Sequence, residues 1–156
     1  MKSASSSELK KQLQQKNHEE LVNYCLRLSK FKKENKELLT FLLFESGNLS
    51  DFTNRIRKEI KIFFTEMNLA HVYYVKKSLR KILRNVSKYS RISGSKLVES
   101  ELCIEVCLQI KNLPNNIASE KQVIKIYNTL LERIETLILS LHPDLQYDLK
   151  KQLEKI

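Results

Sequence analysis

Two cysteines stand four residues apart, at Cys103 and Cys107, in a stretch whose apolar residues follow helical spacing. Positions four residues apart share one face of a helix, so both thiols could bind the same metal ion. A structural zinc site needs four ligands, and neither a C-x-x-C nor an H-x₃₋₅-H pattern supplies the others. Because apolar residues alternate with the two cysteines, we predict buried, inert thiols and no metal site.

The other residue types that catalyse reactions are scattered along the chain. His18, His71 and His142 are isolated, and the sequence has no H-E-x-x-H, E-x-x-H or G-x-S-x-G motif. Zinc-peptidase, di-iron and nucleophile-elbow sites are therefore not indicated. Glu101 and Glu105 share a helix face, where we expect an ordinary surface pair of carboxylates. We predict no catalytic residue and no cofactor; an enzyme with an unfamiliar site is only a third hypothesis for function.

The strongest chemical signal is a run of basic residues. No acidic residue occurs between Glu66 and Glu99, although the whole chain has a formal net charge of +10. Most of that excess is concentrated in this one stretch, which favours a local binding site over a uniformly basic protein. The cations of the stretch are Lys76, Lys77, Arg80, Lys81, Arg84, Lys88, Arg91 and Lys96.

A helical projection separates these cations from an apolar stripe. At about 100° per residue, one side carries Val72, Val75, Leu79, Ile82, Leu83 and Val86. The opposite side carries a row that we call the basic ridge: Lys77, Arg80, Lys81, Arg84, Lys88 and Arg91. Like charges four residues apart repel by about 0.2–0.5 kcal/mol per pair, so the ridge indicates an anionic partner. The alternative is an ordinary solvated helix face.

A second, smaller anion site is predicted directly after the ridge. Ser93, Ser95 and Lys96 flank Gly94, just before a predicted helix start. Free backbone N–H groups at a helix N-terminus, with two hydroxyls and a cation, could hold a phosphate or sulfate. The competing interpretation is a serine cap beside a flexible glycine.

Glycine and proline account for only four of the 156 residues, where average usage gives about 12%. Turn-rich β-sandwiches and barrels depend on these residues, as do glycine-rich phosphate-binding loops. The two glycines, Gly47 and Gly94, lie far apart. The composition therefore predicts an all-α fold without a nucleotide-binding loop.

Capping signals divide the chain into seven or eight helices. Capping boxes are expected at Ser5 with Glu8, at Asn17 with Glu20 and at Ser119 with Gln122. We further expect a basic helix from about His71 to Ser90, a helix over residues 96–111, a turn at residues 114–116 and a last helix that begins at Pro143. The expected domains are a polar N-terminal segment, residues 1–16, and a single helical domain, residues 17–156. The architecture is either antiparallel hairpins in a right-handed stack like HEAT or armadillo repeats, or an irregular helical bundle.

Residues 38–44 are expected to form a central helix of the fold. The run Leu38–Phe44 is nearly all apolar and predicts a helix that is buried on most sides. Gly47 is expected to end it in the left-handed conformation, and Ser50 to cap the next helix. The predicted core comprises Leu38, Phe41, Leu42, Phe63, Leu79, Ile82, Leu102, Val106, Tyr127, Leu130, Ile134 and Leu137.

The sequence also indicates a reducing compartment. Three cysteines without framework spacing do not suggest a disulfide scaffold, and residues 1–8 are polar, unlike a signal peptide. The densest apolar run is seven residues long, whereas a membrane span needs about 20. We expect a cytoplasmic protein without a membrane span.

Two stretches, Lys32–Glu45 and Tyr74–Lys96, resemble uncharacterised bacterial all-helical proteins of unknown function. The resemblance covers about a quarter of the chain and rests on helix-forming composition. It implies a bacterial, cytosolic origin, and it transfers no functional residue.

The residues themselves suggest two functions. The first hypothesis is a non-enzymatic protein-interaction module that presents the basic helix to an acidic partner. The second is nucleic-acid binding without sequence specificity, through the same helix and the phosphate backbone. No helix-turn-helix, zinc finger or stacking platform supports base reading.

Overall fold

The computed structural model describes residues 2–154. Within that range the secondary structure is helical and contains no strand, which confirms the all-α prediction. Residues 2–154 form nine α-helices where seven or eight were expected, because a short helix, Asn115–Ala118, begins within the turn predicted at residues 114–116. The helices are α1 (Ser6–Gln14), α2 (His18–Phe31), α3 (Lys33–Thr40), α4 (Leu49–Thr65), α5 (Val72–Ser93), α6 (Lys96–Lys111), α7 (Asn115–Ala118), α8 (Lys121–Leu139) and α9 (Pro143–Leu153), with a π-helical turn at Phe41–Glu45.

The chain divides into two compact units, one up to Glu45 and the other from Ser46 onward. The predicted domain boundary after residue 16 falls within the first of these units.

The first unit contains α1, α2, α3 and the π-helical turn. The capping boxes at Ser5 with Glu8 and at Asn17 with Glu20 are both present, as predicted. Lys32 is extended and separates α2 from α3, and the two helices pack against each other. The side-chain amide of Asn35 donates a hydrogen bond of 2.9 Å to the carbonyl of Leu28, which closes the bend between them.

The prediction of a buried central helix at residues 38–44 is wrong. Phe41 is buried, but Leu38 and Leu42 are exposed, and Phe44 keeps 79% of its surface accessible. The short helices α1, α2 and α3 contain no buried residue, so this unit has no interior that could enclose an apolar run on all sides. The run itself is π-helical from Phe41.

The expected connection to the next helix is also corrected. Among the described glycines only Gly94 has a positive φ, so Gly47 does not take the left-handed conformation. The N-cap of α4 is Asn48, whose side chain accepts a hydrogen bond from the N–H of Asp51, and Ser50 lies inside the helix. Asparagine competes well with serine as a cap, and the neighbouring Asn48 takes that position here.

The second unit is a helical bundle built around α6. This helix packs against α4, α5, α8 and α9, and its bounds are those predicted from the sequence. Its buried residues lie on nearly every side, as expected for a helix that is surrounded by others. They are Val98, Ser100, Leu102, Cys103, Ile104, Glu105, Val106, Cys107 and Ile110.

Most of the predicted core is confirmed in this bundle. Leu79, Ile82, Leu102, Val106, Leu130 and Ile134 are buried. Phe63, Tyr127 and Leu137 are of intermediate burial.

Contacts between side chains fix the directions of the helices. Phe52 and Tyr89 meet edge to face, and the Lys81 ammonium lies 5.2 Å from the centre of the Phe63 ring, so α4 and α5 are antiparallel.

Two ion pairs connect α4 with α6. Arg57 pairs with Glu101, and Lys61, farther along α4, pairs with Glu105, which is farther along α6. Helices α4 and α6 are therefore parallel. Arg133 on α8 pairs with Glu99 at the start of α6, and the Tyr127 phenol interacts electrostatically with Cys107 farther along α6. Helices α6 and α8 are therefore antiparallel. It follows that α5 and α8, which both run opposite to α6, are parallel to each other.

The connections around α6 are short. Gly94 ends α5 in the left-handed conformation, with φ 62°, and Ser95 caps α6. The capping box predicted at Ser119 is wrong, because Glu120 is the N-cap residue of α8 and makes no side-chain capping bond. Pro143 occupies the first turn of α9, as predicted.

Candidate functional site: a basic groove

A cleft of about 430 Å³ lies between the parallel helices α5 and α8. We call it the basic groove. Both helices pack on α6, whose Cys103 is the α6 residue that lines the cleft. The groove therefore has two helical walls and reaches the central helix of the bundle.

The wall from α5 combines cations with apolar residues. Lys76, Arg80, Leu83, Val86 and Ser87 line it, at intervals of three or four residues apart from the last pair. That spacing puts them along one face of the helix. Leu83 and Val86 belong to the apolar stripe of the basic helix, and Arg80 belongs to the basic ridge, so the wall stands where the stripe and the ridge meet.

The wall from α8 has the same composition. Lys125, Thr129 and Arg133 follow one another at intervals of four residues, and Ile126 and Leu130 lie beside them, with Gln122 at the start. Cys103 and the apolar side chains of both walls are buried or half-buried, whereas Arg80, Lys125 and Arg133 are exposed. The apolar side chains therefore lie deeper in the groove than the charged ends of the long polar ones.

The charge in the groove is uneven along its length. Because α5 and α8 are parallel, Lys76, Arg80 and Lys125 all lie toward the N-terminal ends of their helices. The N-terminal partial charges of both helices add to the positive potential there. No aspartate or glutamate lines the groove, and these three cations form no ion pair within residues 2–154.

The opposite end of the groove is closer to neutral. The Nε of Arg133 donates a hydrogen bond of 2.7 Å to the Oε1 of Glu99, and a second guanidinium nitrogen reaches the same oxygen. Only 17% of the Glu99 side chain is exposed, so the ion pair is partly shielded from solvent. An anionic ligand is therefore attracted chiefly to the end that holds Lys76, Arg80 and Lys125.

The cysteines of α6 are buried, as predicted. Burial raises the pKa of Cys103 to about 12, and burial together with the neighbouring Cys103 raises the pKa of Cys107 to about 12. Thiolates are the reactive form of cysteine, so both groups are poor nucleophiles near neutral pH. No cluster of three or more potential metal ligands occurs among the residues that the structure describes.

The structure divides the predicted basic ridge into two groups. Lys77, Arg80 and Arg84 are exposed and line, with Tyr73, Lys76 and Leu83, a second depression of about 440 Å³ that shares Lys76, Arg80 and Leu83 with the basic groove. These exposed cations form one continuous basic surface.

The remaining residues of the ridge interact with the protein itself. The Lys81 ammonium lies over the ring of Phe63, and the Lys88 ammonium lies 4.9 Å from the centre of the Tyr89 ring. The Nε of Arg91 donates a hydrogen bond of 3.3 Å to the carbonyl of Ser87.

The predicted anion site at the α5–α6 connection is occupied by local hydrogen bonds. Ser93 donates its hydroxyl to the carbonyl of Ser90 and accepts from the N–H of Ser95. Ser95 in turn accepts from the N–H of Val98. Lys96 is exposed. Anion binding at Ser93, Ser95 and Lys96 stays a prediction.

Glu101 and Glu105 are not the exposed carboxylate pair that the sequence suggested. Arg57 lies 3.5 Å from Glu101, and Lys61 lies 3.8 Å from the buried Glu105. Burial raises the pKa of Glu101, and the charge of Arg57 opposes that rise. The two pairs connect α4 with α6.

The wall of the groove that α8 provides is not among the sites predicted from the sequence. Lys125 lies 34 residues and Arg133 lies 42 residues beyond Arg91, the last residue of the ridge, and only the helix packing brings them to it. One feature of the sequence could have indicated this wall: Lys125, Thr129 and Arg133 stand four residues apart beside the apolar stripe of α8. Lys76 belongs to the basic stretch of the sequence but lies outside the ridge in the helical projection.

No family model, no curated protein and no solved structure matches this chain. None of the described helices is long and apolar enough to cross a membrane.

Proposed function

We propose that this chain is a non-enzymatic protein-interaction module that binds an acidic partner protein through the basic groove and the adjoining exposed face of α5. The proposal is supported by an apolar cleft that reaches the core and is lined by three cations, none of which forms an ion pair within residues 2–154. Interfaces typically join an apolar centre to a polar rim, and the groove has this composition.

The charge of the surface explains why the partner should be acidic. Cations close together without carboxylates repel one another, and an acidic partner relieves that repulsion and speeds encounter. Lys76, Arg80 and Lys125 would meet carboxylates of the partner at the rim. Leu83 and Ile126 would be covered by its apolar side chains.

A glutamate-rich, fluorescein-labelled peptide of about 16 residues tests the charge requirement by fluorescence anisotropy at low salt. We expect wild-type protein to bind it and the variant Arg80→Glu/Lys125→Glu to bind at least about tenfold more weakly, since two attractions become repulsions. Lys58→Glu provides the control, because Lys58 is an exposed cation on α4 outside the groove. Equal binding by all three proteins would contradict the proposal.

Nucleic-acid binding is the second candidate, and the row of Lys77, Arg80 and Arg84 along α5 favours it. Binding through phosphates predicts a log–log salt slope of about −0.9 per phosphate neutralised, or roughly −4 to −5 for four to six contacts on duplex DNA. The variant Arg80→Glu/Arg84→Glu/Lys88→Glu should then abolish binding while remaining folded. Wild-type protein that fails to bind DNA or RNA at low salt would remove this candidate.

The placement of the protein in a reducing compartment remains part of the proposal. It is supported by the three free cysteines, of which two are buried in the bundle.

A further inference from the structure

We propose that the basic groove binds a single amphipathic α-helix of the partner, with acidic residues concentrated toward one end of that helix. This inference rests on the proposed function, because it specifies which element of an acidic protein would occupy the groove. Three features of the groove support a helical occupant: its length, its position in the bundle and the distribution of its charge.

The length of the groove corresponds to about three turns of helix. The lining residues extend from Lys76 to Ser87 on α5 and from Gln122 to Arg133 on α8. Each interval is eleven residues, or about 16 Å at 1.5 Å per residue. A helix of this length presents apolar anchors at i, i+3 or i+4, and i+7, which is the usual pattern of helix-in-groove recognition.

The position of the groove suits a helix because its walls are themselves helices. Both α5 and α8 pack on α6, they run parallel, and Cys103 of α6 lines the cleft between them. Apolar side chains from an added helix would enter between Leu83 and Ile126. A helix there would extend the packing that α4, α5, α8 and α9 already make around α6.

The charge gives this helix a direction. Lys76, Arg80 and Lys125 lie at one end of the groove, whereas Arg133 at the other end is paired with Glu99. The carboxylates of the partner should therefore lie at the cationic end. A bound helix would place its C-terminus there, because that end carries a partial negative charge, and it would run antiparallel to α5 and α8.

Three peptides that have the same composition but different sequences test this inference. The first, of about 16 residues, carries leucines at i, i+4 and i+7 with glutamates in its C-terminal half. The second scrambles the leucines so that they share no helix face, and the third keeps the leucines but moves the glutamates to the N-terminal half. We expect the first to bind at least about tenfold more tightly than the second, because only leucines that share one helix face match the apolar cleft. The first should also bind more tightly than the third, which can bring its glutamates to the cationic end only by placing its positive N-terminus there.

Variants of the groove locate the binding of the first peptide. Leu83→Gln and Ile126→Gln should each weaken it at least about fivefold, since each places a polar amide where an apolar anchor packs. Ile124→Gln is the matched control on α8, because Ile124 is 43% exposed and does not line the groove. Circular dichroism and thermal unfolding verify that each variant is folded, and the surface variant Arg80→Glu/Lys125→Glu tests the same site without altering an apolar residue.

The outcomes separate this inference from the proposed function. One result would overturn the partner helix but leave the acidic partner in place. In that case the amphipathic and scrambled peptides bind equally, and Leu83→Gln and Ile126→Gln have no effect on binding. Arg80→Glu/Lys125→Glu, by contrast, weakens the binding of both peptides. If none of the peptides binds, both fail. Groove-dependent binding of duplex DNA or of vesicles of an anionic phospholipid, with no preference for the amphipathic peptide, would also overturn the inference.

Discussion

Arg133 of α8 reaches across to Glu99 in the first turn of α6, and its Nε donates a hydrogen bond of 2.7 Å to the Oε1 of Glu99. The contact joins the late part of one helix to the beginning of another and so fixes their antiparallel packing. It also neutralises one of the four cations of the basic groove, which leaves the excess charge at the end that holds Lys76, Arg80 and Lys125.

Removing Arg133 should therefore reduce stability. In Arg133→Met, the partly buried carboxylate of Glu99 loses its ionic partner, which we expect to lower the free energy of unfolding by about 1–3 kcal/mol. Adding Glu99→Gln to the Arg133→Met variant should recover part of the lost stability. Urea unfolding of the wild type, both single variants and the double variant measures the coupling free energy between residues 133 and 99. Strictly additive changes in the free energy of unfolding would contradict the predicted interaction.

The three thiols should react at very different rates with a thiol-specific reagent near neutral pH. Cys25 is exposed, whereas burial raises the pKa values of Cys103 and Cys107 to about 12. We expect one fast-reacting thiol in the native protein and three in denaturant. Cys25→Ser should remove the fast phase; a fast phase that persists in this variant would be incompatible with the buried positions of the other two.

The centre of the bundle should be sensitive to truncation. Ile134→Ala removes a fully buried side chain of α8, and the resulting cavity should cost about 2–5 kcal/mol. Leu139→Ala on the same helix is the control, because Leu139 is 73% exposed and its loss should cost less than about 0.5 kcal/mol. Chemical unfolding of both variants provides the comparison, and similar losses would show that the assigned burial is wrong.

The carboxyl of Glu101 gives a prediction with a defined sign. Burial raises its pKa, so the folded chain holds this proton more tightly than the unfolded chain. The contribution of Glu101 to stability therefore falls as the pH rises from 4.5, its ordinary value, through the raised pKa. Glu101→Gln cannot ionise, and its stability relative to wild type should increase between about pH 4 and pH 7. Thermal unfolding at several pH values measures the difference, and a relative decrease would refute the assignment.

The sequence predicted the features that depend on local physics. The bounds of α6, the capping boxes at Ser5 and Asn17 and the proline at the start of α9 follow from hydrogen-bonding and backbone preferences of nearby residues. The caps proposed at Ser50 and Ser119 failed because the helix boundaries lie one or two residues away: the side chain of Asn48 caps α4, and α8 begins after Glu120, which makes no side-chain capping bond. Local rules identify a helix start more reliably than the residue that caps it.

Features that depend on packing were harder to predict. An apolar run such as Leu38–Phe44 indicates burial only where enough other elements exist to cover it, and in the first unit they do not. The groove likewise depends on α8 packing beside α5, which places Lys125 close to Arg80. Charge clustering along the sequence indicated one wall, and the other wall required the three-dimensional arrangement.

An acidic partner helix should occupy the cleft between α5 and α8. Titration of the ¹⁵N-labelled protein with the amphipathic peptide that has C-terminal glutamates, followed by NMR, locates the peptide on the protein surface. The largest amide shifts are expected along residues 76–87 and 122–133. Largest shifts in α9 or in α1–α3, or no shifts at a peptide excess, would contradict it.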